Sequence, residues 1–256
     1  MKSKFKLKTT NDGKAILNIG CGIKMHWAHN NLDFSPYARL RHHMFFVKLL
    51  KLIGFLSEKR YQKLLKVDPQ IIVWNLRKGI PFDNETFDMV YHSHFLEHLE
   101  LSVALDLLKE CHRVLKNDGI IRVVVPDLEQ IAKKYIKSLI ALENGQEYAK
   151  SRHREAIHEL FDQMVRDEAS GTSQQKPFVR LVERLIRGDA TKSGELHRWM
   201  YDKYSLKDLI EIADFRNISI REASSSAIYG WEGYYLDTNE DGSIYKPNSL
   251  FMEGRK

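Results

Sequence analysis

Between Ala15 and Pro126 the chain alternates short apolar runs with stretches of helical periodicity. That alternation admits little besides a mostly parallel sheet with helices on both faces. The runs are AILNIG (Ala15 to Gly20), NNLDF, IIVWNL (Ile71 to Leu76), FDMVYHSH (Phe87 to His94) and GIIRVVVP (Gly119 to Pro126). Short, mostly apolar runs of this length suit strands buried from both sides. Pro126 ends the last run because it has no amide hydrogen for a ladder. Before it, Leu101, Ala104, Leu105, Leu108, Cys111 and Leu115 recur at helical spacing, with Ser102 placed to cap the helix. Asn117-Asp118-Gly119 supplies the turn into the next strand. Near the end, Ser205 precedes a helical LKDLIEIADF, and NISIRE and SLFMEGRK are expected as an antiparallel closing pair.

One domain over 1–256 with two insertions accounts for the length. Tyr37 to Lys66 is expected as one or two amphipathic helices, a helical insertion at 37–66. Leu128 to Gly188 is helical in pattern, broken near Asn144-Gly145 and Ser170-Gly171-Thr172, and is expected as a helical cap over 128–190. A structureless loop of that length would be exceptional. The two cysteines, Cys21 and Cys111, imply no disulfide framework, and neither C-x-x-C nor H-E-x-x-H marks a zinc site. The start, MKSKFKLKTTNDGK, is basic without the apolar run of a signal peptide. The longest apolar stretch, Met44 to Leu56, is interrupted by Lys48 and Lys51 and falls short of the roughly 20 residues a spanning helix needs. A cytoplasmic protein is expected.

The formal net charge of +6 is uneven: between Phe34 and Lys66 eight basic residues face only Glu58. Such a block attracts phosphates, an acidic substrate or an anionic membrane surface, or forms a solvated helix face. The apolar, lysine-flanked stretch 44–56 suits a membrane surface, and equally suits core packing.

Gly20-Cys21-Gly22 closes the first run. Glycines there let the backbone turn tightly and a cofactor approach closely. The dinucleotide fingerprint needs a further glycine where Met25 stands, which counts against a nicotinamide or flavin enzyme. Asp33 ends the second run, where a carboxylate can accept from a ribose diol or simply open a turn before Ser35-Pro36.

Taken together, ILNIGCG, NNLDFSP, WNLRKGIPFDNETFDMVYHSHFLEHLE and LLKECHRVLKNDGIIRVVVPDLEQI resemble the class I S-adenosylmethionine (SAM)-dependent methyltransferases. The likeness is closest to a bacterial subgroup written LNLGCG, NVD, LEHL and RVLKPGG, and HRWMYDKYSLKDLIEIADF is similar to its C-terminal portion. The resemblance implies an α/β, Rossmann-like, doubly wound, mostly parallel seven-stranded sheet with an antiparallel closing strand, and SAM as cofactor. It also implies that Gly20, Cys21 and Gly22 line the cofactor, that Asn18 stands where many relatives have Asp, and that Asp33 holds the ribose. Asn75 with the Leu76 amide would read the adenine, and Ser93 and His94 would lie beside the methionine portion.

Phe82, Phe87 and Asp88 read as structural: two core rings and a loop brace. His94 and His98, four apart, would share a face if helical, and either could take a proton from a hydroxyl acceptor. Glu97 and His98 could instead brace the following helix. Some quinone-pathway relatives bind a divalent ion through Glu-His and a neighbouring acid; His94 stands in that place, so no metal is expected. Ser93-His94-Phe95-Leu96 lacks the Asn/Asp-Pro-Pro-aromatic motif of base amino methylation. Asp127, not a nucleophilic cysteine, follows Pro126, and reads as a helix cap; Cys111 reads as core. His197, Arg198, Trp199, Tyr201 and Tyr204 form an aromatic and basic cluster, with His197 a further base candidate, His197 and Arg198 expected toward the cleft and Trp199 packed. The expected activity is methyl transfer to a small-molecule hydroxyl on a sugar or lipid-linked glycan precursor, with no nucleic acid as partner. A non-catalytic SAM-binding module and a nucleic-acid methyltransferase are the alternatives.

Overall fold

The computed structural model describes residues 5–163 and 197–256. In chain order these form β1 (Ile16–Ile19), β2 (Asn30–Asp33), α1 (Pro36–Arg41), α2 (Met44–Leu52), α3 (Glu58–Leu65), β3 (Ile72–Val73) and β4 (Phe87–Ser93). Then come α4 (Leu101–Val114), β5 (Leu115–Pro126), α5 (Leu128–Glu143), α6 (Ala149–Gln163), α7 (Lys203–Ile212), β6 (Arg216–Arg221) and β7 (Ser249–Arg255). The seven strands make one sheet in the order β3-β2-β1-β4-β5-β7-β6. β7 runs antiparallel to both neighbours, and the pairs among β1 to β5 are parallel. This is the doubly wound order 3-2-1-4-5 with an antiparallel strand wedged before the last.

Strand alternation separates two buried faces. Leu17, Ile19, Val90, Ile121, Val123 and Val125 pack with Leu108 and Cys111 of α4 and with Leu206 and Ile210 of α7. Ile16, Met89, Tyr91, Val124 and Phe251 face the other way, against Trp231 and Leu236 of the irregular segment between β6 and β7. Phe82 and Phe87 meet edge to face at 4.8 Å in the first core. Asp88 braces the sheet base, accepting from the Ala15 amide at 2.8 Å and Lys116 Nζ at 2.8 Å.

Several local expectations change. The insertion after β2 holds three short helices, the first capped by Ser35 with Pro36 at its start. Ser102 lies inside α4, whose cap position is Glu100. Asp202, not Ser205, caps α7; Ser205 returns a hydrogen bond from the third helical position, completing a capping box. β3 shrinks to two residues because Asn75 caps a one-turn 3-10 helix, Leu76–Lys78. The turn expected at Asn117-Gly119 is a bulge inside β5: Phe87 pairs with Leu115 and Met89 already with Ile120. Asp127 does cap α5 through Glu129 and Gln130. α5 and α6 lie in the first part of the 128–190 segment; residues 164–190 lie outside the described residues. Among the described residues no helix is long and apolar enough to cross a membrane.

Arg122, fully buried on β5, is the hub of the second face. It donates at 2.8 Å to Asp237 Oδ2, Glu253 Oε1 and the carbonyls of Ser225 and Glu222. Its guanidinium also lies 4.8 Å over the Trp231 ring. Tyr91 Oη donates to the other Asp237 oxygen at 2.6 Å. A buried charge this well paired is costly to break from one side. Arg122→Leu removes the buried cation from Asp237 and Glu253, leaving Asp237 with Tyr91 and Glu253 with Arg221, Ser226 and the Ala227 amide. It is expected to destabilise folding by about 3–5 kcal/mol in urea unfolding, and a loss under about 1 kcal/mol would show the network to be idle.

His29 and His92 are fully buried, and none of their ring nitrogens has a hydrogen-bond partner. Burial, then the positive field of His26 and Lys8, pushes His29 down to about 3; burial alone pushes His92 to about 4. Both folded values lie below the ordinary 6.5, so their contribution is intact above that pH and fades as pH falls toward 4 and then 3. Below pH 6.5 stability should drop by up to about 1.4 kcal/mol per pH unit for each histidine. His92→Leu should flatten that slope between pH 6.5 and 5, and a slope identical to the unaltered chain would rule the mechanism out.

Candidate active site

β1 runs into a glycine loop with Gly20 at φ 62° and Gly22 at φ 53°. Both lie in the left-handed region that favours glycine. Gly20 has a second reason: a Cβ there would meet Phe95 Cδ2 at 2.5 Å. At Gly22 nothing lies within 4 Å of where a Cβ would stand, so the backbone borders open space. The Gly22 amide donates to Asp33 Oδ2 at 2.8 Å, and the Ser35 amide donates to Oδ1. Asp33 is therefore a buried carboxylate aimed by two backbone amides, with a second lone pair left on each oxygen. The Gly20 amide donates to the Leu32 carbonyl at 2.8 Å and the Trp74 amide to the Asp33 carbonyl at 3.2 Å. Gly20, Asp33 and Asn75 thus stand on successive C-terminal strand edges, where open α/β sheets take ligands.

The remaining expected cofactor residues contribute differently. Buried Asn18 donates to the Lys24 carbonyl at 3.0 Å and to Asn31 Oδ1 at 3.1 Å, tying the loop down. The Cys21 side chain turns into a cluster with Ala38, Val67 and Ile71, where burial raises its thiol pKa, so only its backbone borders the loop. Asn75 Oδ1 accepts from the Arg77 amide at 3.1 Å, and half-buried Leu76 packs against the core. Ser93 ends β4 opposite Val124.

Beyond β4 the chain kinks at His94, φ 49°, into a 3-10 turn at Leu96–His98. His94 and His98 do not share a helix face; they flank the fully buried Glu97, whose Oε1 lies 3.4 Å from His94 Nδ1 and 3.9 Å from His98 Nε2. Neither carboxylate oxygen of Glu97 has a hydrogen-bond partner. Burial pushes that carboxyl up, while nearby Lys246 pulls it back. Ser249 Oγ donates to the Lys246 carbonyl and lies 2.8 Å from His94 Nε2. With the hydroxyl hydrogen spent, His94 must donate from Nε2, so its Nδ1 lone pair faces Glu97. Burial, then Lys246, His197 and His98, hold His94 near 3, a neutral imidazole.

The Arg198 and Trp199 amides both donate to the Glu97 carbonyl, at 2.7 and 3.1 Å, which brings His197 against His98 with ring centroids 4.9 Å apart. Donor atoms of Glu97, His98 and His197 lie within 4.8 Å of one another, close enough to share one metal ion. The expectation that Trp199 packs is reversed: Trp199 is 42% exposed and Tyr201 is the buried aromatic. The Arg198 side chain reaches Glu100 at 3.6 Å. Tyr201 belonged to the expected aromatic cluster, whereas Lys246 and Ser249 carried no motif in the sequence; only packing brings these two here.

The family described as a methyltransferase domain matches residues 50–123. No curated protein matches the chain. Among solved structures, a SAM-dependent methyltransferase from Archaeoglobus fulgidus is similar at 15% identity, covering 95% of this chain and 86% of that one with a TM-score of 0.38. A SAM-dependent methyltransferase, possible histamine N-methyltransferase, from Thermotoga maritima is similar at 14% identity, covering 95% and 82% with a TM-score of 0.42.

The open side of Gly22 yields a direct test. Gly22→Ala should cut affinity for S-adenosylhomocysteine by about tenfold or more while costing only about 1–2 kcal/mol of stability for its positive φ. Gly20→Ala, which must displace Phe95, should cost more in stability. Calorimetric titration and melting read the two effects apart; wild-type affinity in Gly22→Ala would remove this loop from the binding site.

Proposed function

We propose that this chain, a class I SAM-dependent methyltransferase, methylates a hydroxyl of a small-molecule acceptor, with a sugar or glycan precursor as the favoured class. What carries this reading is the His98–His197 ring pair, set against buried Glu97 just past the C-terminal end of β4. Phe95 of the same turn packs onto Gly20, so the pair belongs to the rim that would hold the cofactor.

The residues present fit SAM. Gly22 borders open space, and Asp33 offers aimed acceptor lone pairs suited to ribose hydroxyls. Gly20, Gly22, Asp33, Asn75 and the Leu76 backbone would hold it. When bound, SAM supplies an activated methyl group on a positively charged sulfur. The protein's part is to align an acceptor oxygen with it, exclude water and take the displaced proton.

His98 or His197 takes the acceptor's proton as the new carbon–oxygen bond forms; imidazole suits that duty near neutral pH. His94 donates from Nε2 to Ser249 and lies 3.4 Å from buried Glu97, and it acts as a positioning residue. The exposed face of Trp199, two residues from His197, suits stacking on a sugar ring.

A SAM-dependent assay over nucleotide sugars, glycans and lipid-linked intermediates tests the acceptor class. His98→Ala and His197→Ala should lower kcat by about 10²-fold or more with S-adenosylhomocysteine affinity nearly unchanged. Full turnover in both variants would sink the base assignment. The spacing of Glu97, His98 and His197 favours one second reading, a divalent ion polarising the acceptor. Activity lost on dialysis against a chelator and restored by one added metal would replace the proton-transfer role with that one.

A further inference from the structure

The insertion between β2 and β3 wears its apolar surface on the outside. In α2 the buried residue is Val47. On the opposite side Phe45, Phe46, Leu49, Leu52 and Ile53 fall within an arc of about 120° at 3.6 residues per turn. Phe45 is 88% exposed and Leu52 83%; the other three and Phe55 lie between 45% and 55%. A surface helix of a water-soluble domain ordinarily presents the reverse pattern.

The surroundings of this stripe are cationic. From Phe34 to Lys66 there are eight lysines and arginines and one acid, Glu58, and that acid is already paired with Lys51 at 2.9 Å. The excess here is larger than the formal net charge of +6 on the whole chain, so the remainder is close to neutral. Arg39, Lys48, Lys59, Lys63 and Lys66 are exposed.

We propose that α2 docks on an anionic lipid bilayer, lying in the plane of the surface with Phe45, Phe46, Leu49, Leu52, Ile53 and Phe55 entering the headgroup–acyl boundary. Phenylalanines and aliphatics on one face with a basic collar are the chemistry of an interfacial helix, in which buried apolar area and attraction to acidic headgroups act together. Charge excludes a second copy as the occupant: two such faces would press like-charged collars together. A nucleic acid would engage the lysines and arginines but has no use for five outward apolar side chains. Position adds a consequence for the proposed transferase, and this consequence alone rests on that proposal. α1 begins three residues after Asp33, so docking would set the cofactor rim beside the bilayer, within reach of an amphipathic acceptor held there.

Vesicle flotation with the full chain tests the docking without any assay of activity. Vesicles of phosphatidylcholine with about one-third phosphatidylglycerol should bind the protein at least about tenfold more strongly than phosphatidylcholine alone, and added salt should weaken the binding. Phe45→Ser with Leu52→Ser, and separately Lys48→Glu with Lys59→Glu, should each reduce that binding about tenfold or more. Both double variants alter exposed side chains only, and unchanged melting and S-adenosylhomocysteine affinity would verify that they fold. Undiminished flotation of the serine variant would overturn the proposal. So would absence of flotation together with a dimer, seen by sedimentation velocity, that the serine variant abolishes. Binding to an RNA oligonucleotide that is lost in the glutamate variant and kept in the serine variant, again without flotation, would assign the basic block to nucleic acid instead.

Discussion

A guanidinium in the middle of a sheet has to be answered on every side, and Arg122 is answered by residues 100 to 131 positions away in sequence. Glu253 comes from β7, the antiparallel strand, and Asp237 and three carbonyls come from the segment between β6 and β7. That segment has little regular structure of its own. It covers the second face of the sheet because its carbonyls and Asp237 satisfy a charge that could not otherwise be buried, while Trp231 fills the space beside it.

The same segment reaches the glycine loop. Lys24 Nζ donates to the carbonyls of Tyr235 and Thr238 at 2.7 and 2.8 Å, and its own carbonyl receives the Asn18 amide. Hydrogen bonds at either end and the main chain of Tyr235–Thr238 between them therefore connect Arg122 to the loop at Gly20–Gly22. The loop must hold an open, left-handed backbone, and this path gives it a fixed anchor on one side while the Asp33 carboxylate holds it on the other.

At the other end of the site burial is left uncompensated. Glu97 sits at zero exposure with no hydrogen-bond partner for its oxygens, next to a half-buried Lys246, the buried Tyr201 hydroxyl and three imidazoles. A fold selected only for stability would avoid such a cluster, since each unpaired buried group costs free energy. Its place beyond the C-terminal end of β4 is where the sheet offers a ligand site, so the cost falls where function would use it.

Most of the sheet was legible in the chain because its signals are local. Apolar runs of strand length, Pro126 as a stop and helical spacing in α4 depend on neighbours a few residues apart. So does the need for glycine at Gly20 and Gly22, where the backbone itself takes a positive φ. Asp33 could be placed for the same reason, as the last residue of a short strand. Its two amide partners are set by the turns on either side.

Only the tertiary structure decided what depends on distant partners. Nothing around Arg122 in IIRVVV announces that its charge will be met from residues 222 to 253, and nothing near His98 announces His197. Trp199 and Tyr201 are two residues apart, yet one faces out and the other is buried, because the Glu97 carbonyl captures the Trp199 amide and Asp127, the residue after β5, pairs with Tyr201. The amphipathic period of α2 showed that the helix has two faces. Which face turned inward was settled by Val47 finding a place in the packing, since periodicity defines a stripe but only a packing partner defines its direction.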